Sequence, residues 1–138
     1  MKLISHRGNL NGRNKIAENN PMQIEFVLGL GYDCEIDVWW RDGRFLLGHD
    51  FPQFYVTSEF LKNDKLWCHT KNIEAILQIK DWNLDIHYFW HENDKVTITS
   101  RGYIWAYPCK VGIRNSIAVL PEMYKTDVSK CIGVCSDH

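Results

Sequence analysis

Nine short runs of β-branched, aromatic and aliphatic residues recur along this chain, and only two stretches carry a clear helical pattern. The runs cover residues 2–5, 32–39, 44–47, 65–70, 85–90, 96–99, 103–106, 116–120 and 131–135. Gly, Asp, Asn or Pro bounds them, which is the punctuation of strands. One helix is expected with Asn19 or Asn20 as its cap, Pro21 in its first turn and a stop at Gly29 or Gly31. Its apolar positions are Met22, Ile24, Phe26, Val27 and Leu30. The second is expected from about 72 to 82, with Ile73, Ile76, Leu77 and Ile79 on one side. Weaker helical turns are expected at Thr57-Ser58 and at Pro121. Strands and helices alternate in the first half, which argues for parallel β-α-β units. Asp42-Gly43 between two strand-like runs predicts a hairpin there.

The 138 residues read as one domain, 1–138, without linker or repeat. With 45% hydrophobic and 24% charged residues, the chain is not a disordered tail. Sixteen basic against seventeen acidic residues leave a net charge of -1, so no nucleic-acid partner is expected. No apolar run approaches the ~20 residues of a transmembrane helix. The opening Met1-Lys2-Leu3-Ile4-Ser5-His6 turns polar too early for a secretory leader. The five cysteines are odd in number and form no Cys-x-x-Cys pair. They read as buried free thiols, and the expected location is cytoplasmic.

Polar residues gather at the ends of the expected strands. His6 and Arg7 follow the first. Glu35 and Asp37 lie two apart on the second, so both side chains leave one face while Cys34, Ile36 and Val38 leave the other. Two neighbouring carboxylates repel, and a divalent cation, a proton or a basic partner must offset that. His49 and Asp50 end the hairpin, and His69 and Lys71 repeat the two-residue spacing on the third main strand. Taken singly, each pair reads as an ordinary polar face or salt bridge. Their joint placement at successive strand ends points to a site.

The set His6-Arg7-Gly8, Glu18-Asn19, Glu35-x-Asp37-Val38 and Gly48-His49-Asp50 resembles the glycerophosphodiester phosphodiesterase family, in the phosphatidylinositol-specific phospholipase C-like superfamily. The resemblance is specific over about residues 2–50 and fair to about 80. It implies a metal-dependent phosphodiesterase acting on a small polyol or sugar phosphodiester. His6 and His49 would be the general acid–base pair, suited by an imidazole pKa of ~6.5. Arg7, Lys71 and Asn19 would bind substrate, with the Arg7 guanidinium matched to phosphate oxygens. Glu35 and Asp37 would hold Mg²⁺ or Ca²⁺, with Glu18 and Asp50 supporting the site from behind. The family carries Glu-x-Lys on its third strand, whereas this chain has His69-Thr70-Lys71. An imidazole ligand at His69 opens the site to Mn²⁺ or Zn²⁺; otherwise His69 hydrogen-bonds a carboxylate and touches no metal.

The implied fold is a minimal or incomplete TIM-type (β/α) barrel with short or missing helices in its second half. A complete barrel takes ~250 residues, and the family's insertion after His-Asp is reduced here to residues 51–64. An open barrel edge would be covered by self-association into a homo-oligomer. Two alternatives stand beside the hydrolase: a phosphate-binding module with weak or no chemistry, and a lyase that releases a cyclic phosphate. His87 reads as a half-buried strand residue, and Trp105 and Tyr107 as core; His91 stays open, and Trp90 belongs either to a surface that stacks a sugar ring or to the same half-buried strand. Asp137-His138 resembles a polar strand end, but terminal residues often fray and carry little weight.

Overall fold

Ten strands and three short α-helices form in the computed structural model, which describes residues 1–138. In chain order they are β1 (Lys2–His6), α1 (Pro21–Gly29), β2 (Asp33–Arg41), β3 (Arg44–Leu47), β4 (Phe54–Val56), α2 (Ser58–Leu61) and β5 (Leu66–Thr70). Then come α3 (Ile73–Asp81), β6 (Tyr88–Phe89), β7 (Val96–Ile98), β8 (Ile104–Ala106), β9 (Ser116–Val119), a 3₁₀ turn (Pro121–Tyr124) and β10 (Gly133–Ser136).

The helices start where side-chain oxygens satisfy free backbone N–H groups. The Asn20 Oδ1 accepts from Met22 N at 3.0 Å, and Thr57 Oγ1 accepts from Phe60 N at 3.1 Å. Asn72 caps α3 by accepting from Ala75 N, and its amide also exchanges two hydrogen bonds with the Trp40 backbone. That one side chain ties a helix start to the far end of β2.

A parallel series runs β6-β5-β2-β1-β10-β9-β8. Antiparallel β3 and β4 extend the sheet from the upper half of β2, and antiparallel β7 borders β8. The sheet curls until its ends approach: Ser100 N donates to Tyr88 O at 2.8 Å, and Thr97 Oγ1 donates to Trp90 O at 2.9 Å. Strand alternation then sorts side chains between two layers. Cys34, Ile36 and Val38 face outward with Leu66 and Cys68, under Ile24, Val27 and Ile79 of the helices. Ile4, Trp67, Phe89, Trp105, Ile117 and Cys135 fill the concave side. Glu35 and Asp37 alternate with the outward set, so they point into the concavity above this aromatic floor.

The TIM-type barrel expected from the resemblance does not form. The molecule is a mostly-sheet, curled half-barrel, with three short α-helices, all of them before residue 82. The physical reason lies in the connections. A β-α-β crossover takes ~30 residues, whereas residues 90–95, 99–103 and 107–115 join β6, β7, β8 and β9 without room for a helix. The short antiparallel β7 fills the place of a crossover. The strand β4 was not foreseen either; it pairs with β3 through Phe45 and Val56. All five cysteines are free and buried. No helix is long and apolar enough to cross a membrane.

Candidate functional site

The register of three strands builds the site. His6 pairs beside Glu35, and Asp37 pairs beside His69. After β1 the chain turns sharply, with Arg7 at φ 57° and Gly8 at φ 88°. A side chain at Gly8 would strain that backbone and press on Gln23 at 3.2 Å. Asn19 returns to β2 and clamps Asp37 from two sides. Its Nδ2 donates to Asp37 Oδ2 at 2.9 Å, and its Oδ1 accepts from Asp37 N at 2.9 Å.

Glu35 and Asp37 are almost wholly buried, and each keeps one oxygen without a hydrogen-bond partner, Glu35 Oε2 and Asp37 Oδ1. Buried carboxylate oxygens are costly in that condition. The basic groups nearby compensate only in part. Arg7 Nε lies 3.1 Å from Asp37 Oδ2 yet has no hydrogen-bond alignment, and Lys71 Nζ stands 3.7 Å from Asp37 Oδ1. Burial and the charge of Asp37 push the Glu35 pKa up. Burial alone would raise Asp37 as well, but His69, Arg7 and Lys71 around it hold it well below the usual carboxylate range.

His69 faces both carboxylates. Its Nδ1 is 3.3 Å from Asp37 Oδ1 and 3.9 Å from Glu35 Oε1. Its Nε2 is 2.9 Å from the His91 carbonyl oxygen. A carbonyl can only accept, so Nε2 carries a proton. In a neutral imidazole Nδ1 is then a bare lone pair aimed at carboxylate oxygens. That is the arrangement of a metal-ligating histidine, whose far nitrogen is fixed by a backbone carbonyl. One donor atom each from Glu35, Asp37 and His69 lies within 4.8 Å of the others. Two orphaned carboxylate oxygens and a directed imidazole fit a divalent cation. If an ion bound there, such a mixed oxygen and nitrogen set would suit Mn²⁺ or Zn²⁺ better than Ca²⁺.

Two other imidazoles share a second pattern. His6 Nδ1 is 2.8 Å from Asp137 Oδ1, and His49 Nδ1 is 2.8 Å from Asp50 Oδ1. In both, a carboxylate holds Nδ1 and leaves Nε2 for other work. Burial lowers the His6 pKa, but the Asp137 hydrogen bond and the Glu35 charge outweigh it and leave it raised. His49 shifts the other way, through burial and the charge of Arg7.

His6, Arg7, Glu35, His49, His69 and Lys71 line one cavity of about 620 Å³. Asp37 and Asn19 sit beneath its floor, and Asp50 stands exposed at its rim. Glu18 lies behind, buried, where it accepts from Asn9 Nδ2 and Arg13 Nε and meets Arg7 Nη1 at 3.5 Å. The strand-end residues singled out from the sequence are thus gathered at one rim. Two residues outside the sequence motifs, Asn9 and Asp137, also belong to this network. Asn9 donates to both Asp137 and Glu18, which joins the last strand to the first loop. The role of His91 is carried by its backbone carbonyl, which no residue pattern reveals. His87 lies elsewhere, buried against Trp67 and Thr99.

No protein-family model, no curated protein and no solved structure matches this chain.

Proposed function

We propose that this protein is a metal-dependent phosphodiesterase, similar in its chemistry to the glycerophosphodiester phosphodiesterases, that cleaves a small phosphodiester. One observation carries the reading. Two carboxylate-bound histidines, His6 and His49, line the same cavity as Glu35 and His69 of the candidate cation group. Glu35, Asp37 and His69 would hold the ion. When bound, such an ion supplies Lewis acidity to a phosphoryl oxygen and lowers the pKa of an attacking hydroxyl.

The chain's own residues do the rest. One imidazole Nε2 accepts the proton of the attacking hydroxyl, which is water or the substrate's own alcohol. The other donates a proton to the departing alkoxide as the P–O bond breaks. Asp137 and Asp50 keep each ring in the tautomer that leaves Nε2 available. Lys71 and Arg7 offset the negative charge of the phosphoryl group. Asn19 keeps Asp37 in place, and Glu18 restrains Arg7. Five free, buried thiols suit a reducing compartment such as the cytoplasm.

Hydrolysis of bis(p-nitrophenyl) phosphate tests this, measured with Mn²⁺ or Mg²⁺ present and again after chelation. Metal-dependent turnover that falls by at least ~10²-fold in His6→Gln and in His49→Gln is expected, since general acid–base groups contribute about that much. Equal turnover in both variants and the wild type would overturn the acid–base assignment. Bound metal without turnover of any diester would leave a binding module instead.

A further inference from the structure

Two kinds of side chain line the cavity. Histidines, carboxylates and basic groups make up one set. Trp90, Trp105, Tyr107, Val119, Leu120 and Met123 make up its apolar half, with His91 and Glu92 next to Trp90 in the chain and the His91 ring 6.1 Å from Tyr107. Its volume of about 620 Å³ falls within the ~300–1,000 Å³ of small-molecule sites, and exceeds what a phosphoryl group and an ion would fill. The apolar half is rigid at its base. Trp105 packs on Phe89 at 4.6 Å, and Phe89 stacks on His69 at 5.1 Å, so the floor is continuous with the candidate cation group. Tyr107 and Met123 remain 38% and 57% exposed, so the wall is a short shelf open to solvent and not a tunnel.

Resting on the phosphodiesterase reading, we propose that this shelf is the alcohol subsite, and that it takes a planar aromatic ring, an aryl group or a nucleobase. A polyol would set most of its hydroxyls against Leu120, Met123 and Trp105, where Tyr107 and Glu92 can satisfy only a few of them. A long acyl chain needs more enclosure than an open shelf offers. A flat ring meets neither cost. It stacks on Trp90 or Tyr107, and its polar edge can reach the Tyr107 hydroxyl or Glu92. This departs from the polyol that the sequence resemblance implies.

The test is ligand binding by calorimetry in excess Mg²⁺, with methyl phosphate, glycerol 3-phosphate, phenyl phosphate and a nucleoside 5′-monophosphate. The expected result is at least about tenfold tighter binding of the two ring-bearing ligands than of methyl phosphate, worth ~1.4 kcal/mol. Phenyl phosphate and the nucleotide compared with each other distinguish aryl from nucleobase. Trp90→Leu and Tyr107→Leu, each checked for a native thermal transition, should remove that preference and leave methyl phosphate binding unchanged. Methyl phosphate or glycerol 3-phosphate binding as tightly as the ring-bearing ligands would overturn the ring subsite while leaving the phosphodiesterase reading standing. If no phosphate compound binds and no diester is cleaved, both fail.

Discussion

The Nδ1 of His69 lies 3.3 Å from Asp37 Oδ1, an oxygen with no hydrogen-bond partner, while the other ring nitrogen is held by the His91 carbonyl. Two lone pairs meet there whenever the imidazole is neutral. A cation between the two groups would resolve that conflict.

A change at His69 should therefore alter which metal binds. His69→Gln removes the nitrogen donor, and Mn²⁺ affinity is expected to fall at least about tenfold. His69→Glu restores an all-oxygen set, and preference should move toward Mg²⁺ and Ca²⁺. Calorimetric titration of each variant with the separate ions checks this. Unchanged Mn²⁺ affinity in His69→Gln would mean that the ring only hydrogen-bonds its neighbours.

Asp137 should act through His6 rather than on the substrate. Asp137→Asn removes the carboxylate that holds Nδ1, so the His6 pKa should drop below its wild-type value. Turnover should fall with little change in KM, because the ring loses its fixed tautomer. NMR titration of the imidazole signals, read beside kinetics, separates this from a general loss of folding. An unmoved His6 titration would remove Asp137 from the account.

Gly48 couples fold to site. A methyl group there would sit 2.0 Å from the Phe51 carbonyl oxygen, and the Gly48 carbonyl accepts from Trp39 Nε1 at 2.6 Å. The loop must shift to admit a side chain, and His49 moves with it. Gly48→Ala is expected to cost about 1–3 kcal/mol, the usual range for overpacking, and to depress turnover beyond that loss. Denaturant unfolding and kinetics on the same sample measure both. A variant with wild-type stability and rate would show that the turn is loosely held.

His87 supplies a pH-dependent part of stability away from the site. It is 2% exposed, packs 4.3 Å from the Trp67 ring centroid, and shares a 2.8 Å hydrogen bond with Thr99. Burial, with the charges of Arg101 and Lys2, pushes its pKa down to about 4. The unfolded chain protonates near ~6.5, so the unfolded state binds the extra proton between those values. This contribution is complete above ~6.5 and is lost as pH falls toward about 4, at no more than ~1.4 kcal/mol per pH unit. In His87→Phe that slope should vanish. Parallel stability curves for wild type and variant between pH 4 and 6.5 (a window of roughly the unfolded and folded pKa values) would contradict it.

Local structure was legible in the sequence because local rules govern it. Asn20 caps the first helix, α3 begins after Asn72 where its pattern starts, Asp42-Gly43 forms the turn between β2 and β3, and the alternation of Glu35 and Asp37 with Ile36 and Val38 divides β2 between two faces. The global architecture was not legible. It depends on how the segments after β6 connect: helices short or missing there were expected within a TIM-type barrel, whereas residues 90–115 form a hairpin and turns that leave a curled half-barrel. The rim residues could be found because they follow short motifs at strand ends. Asp137 stood outside any motif, and its terminal position argued for fraying. What holds it is long-range, through His6 and Asn9 at the other end of the chain.

The cation group is the centre of this account, and Mn²⁺-soaked crystals probe it most directly through anomalous scattering. A single strong peak bonded to Glu35, Asp37 and the Nδ1 of His69, absent from Asp37→Asn, is the predicted result. An empty map around these three side chains, with Arg7 and Lys71 closed over Asp37, would contradict it.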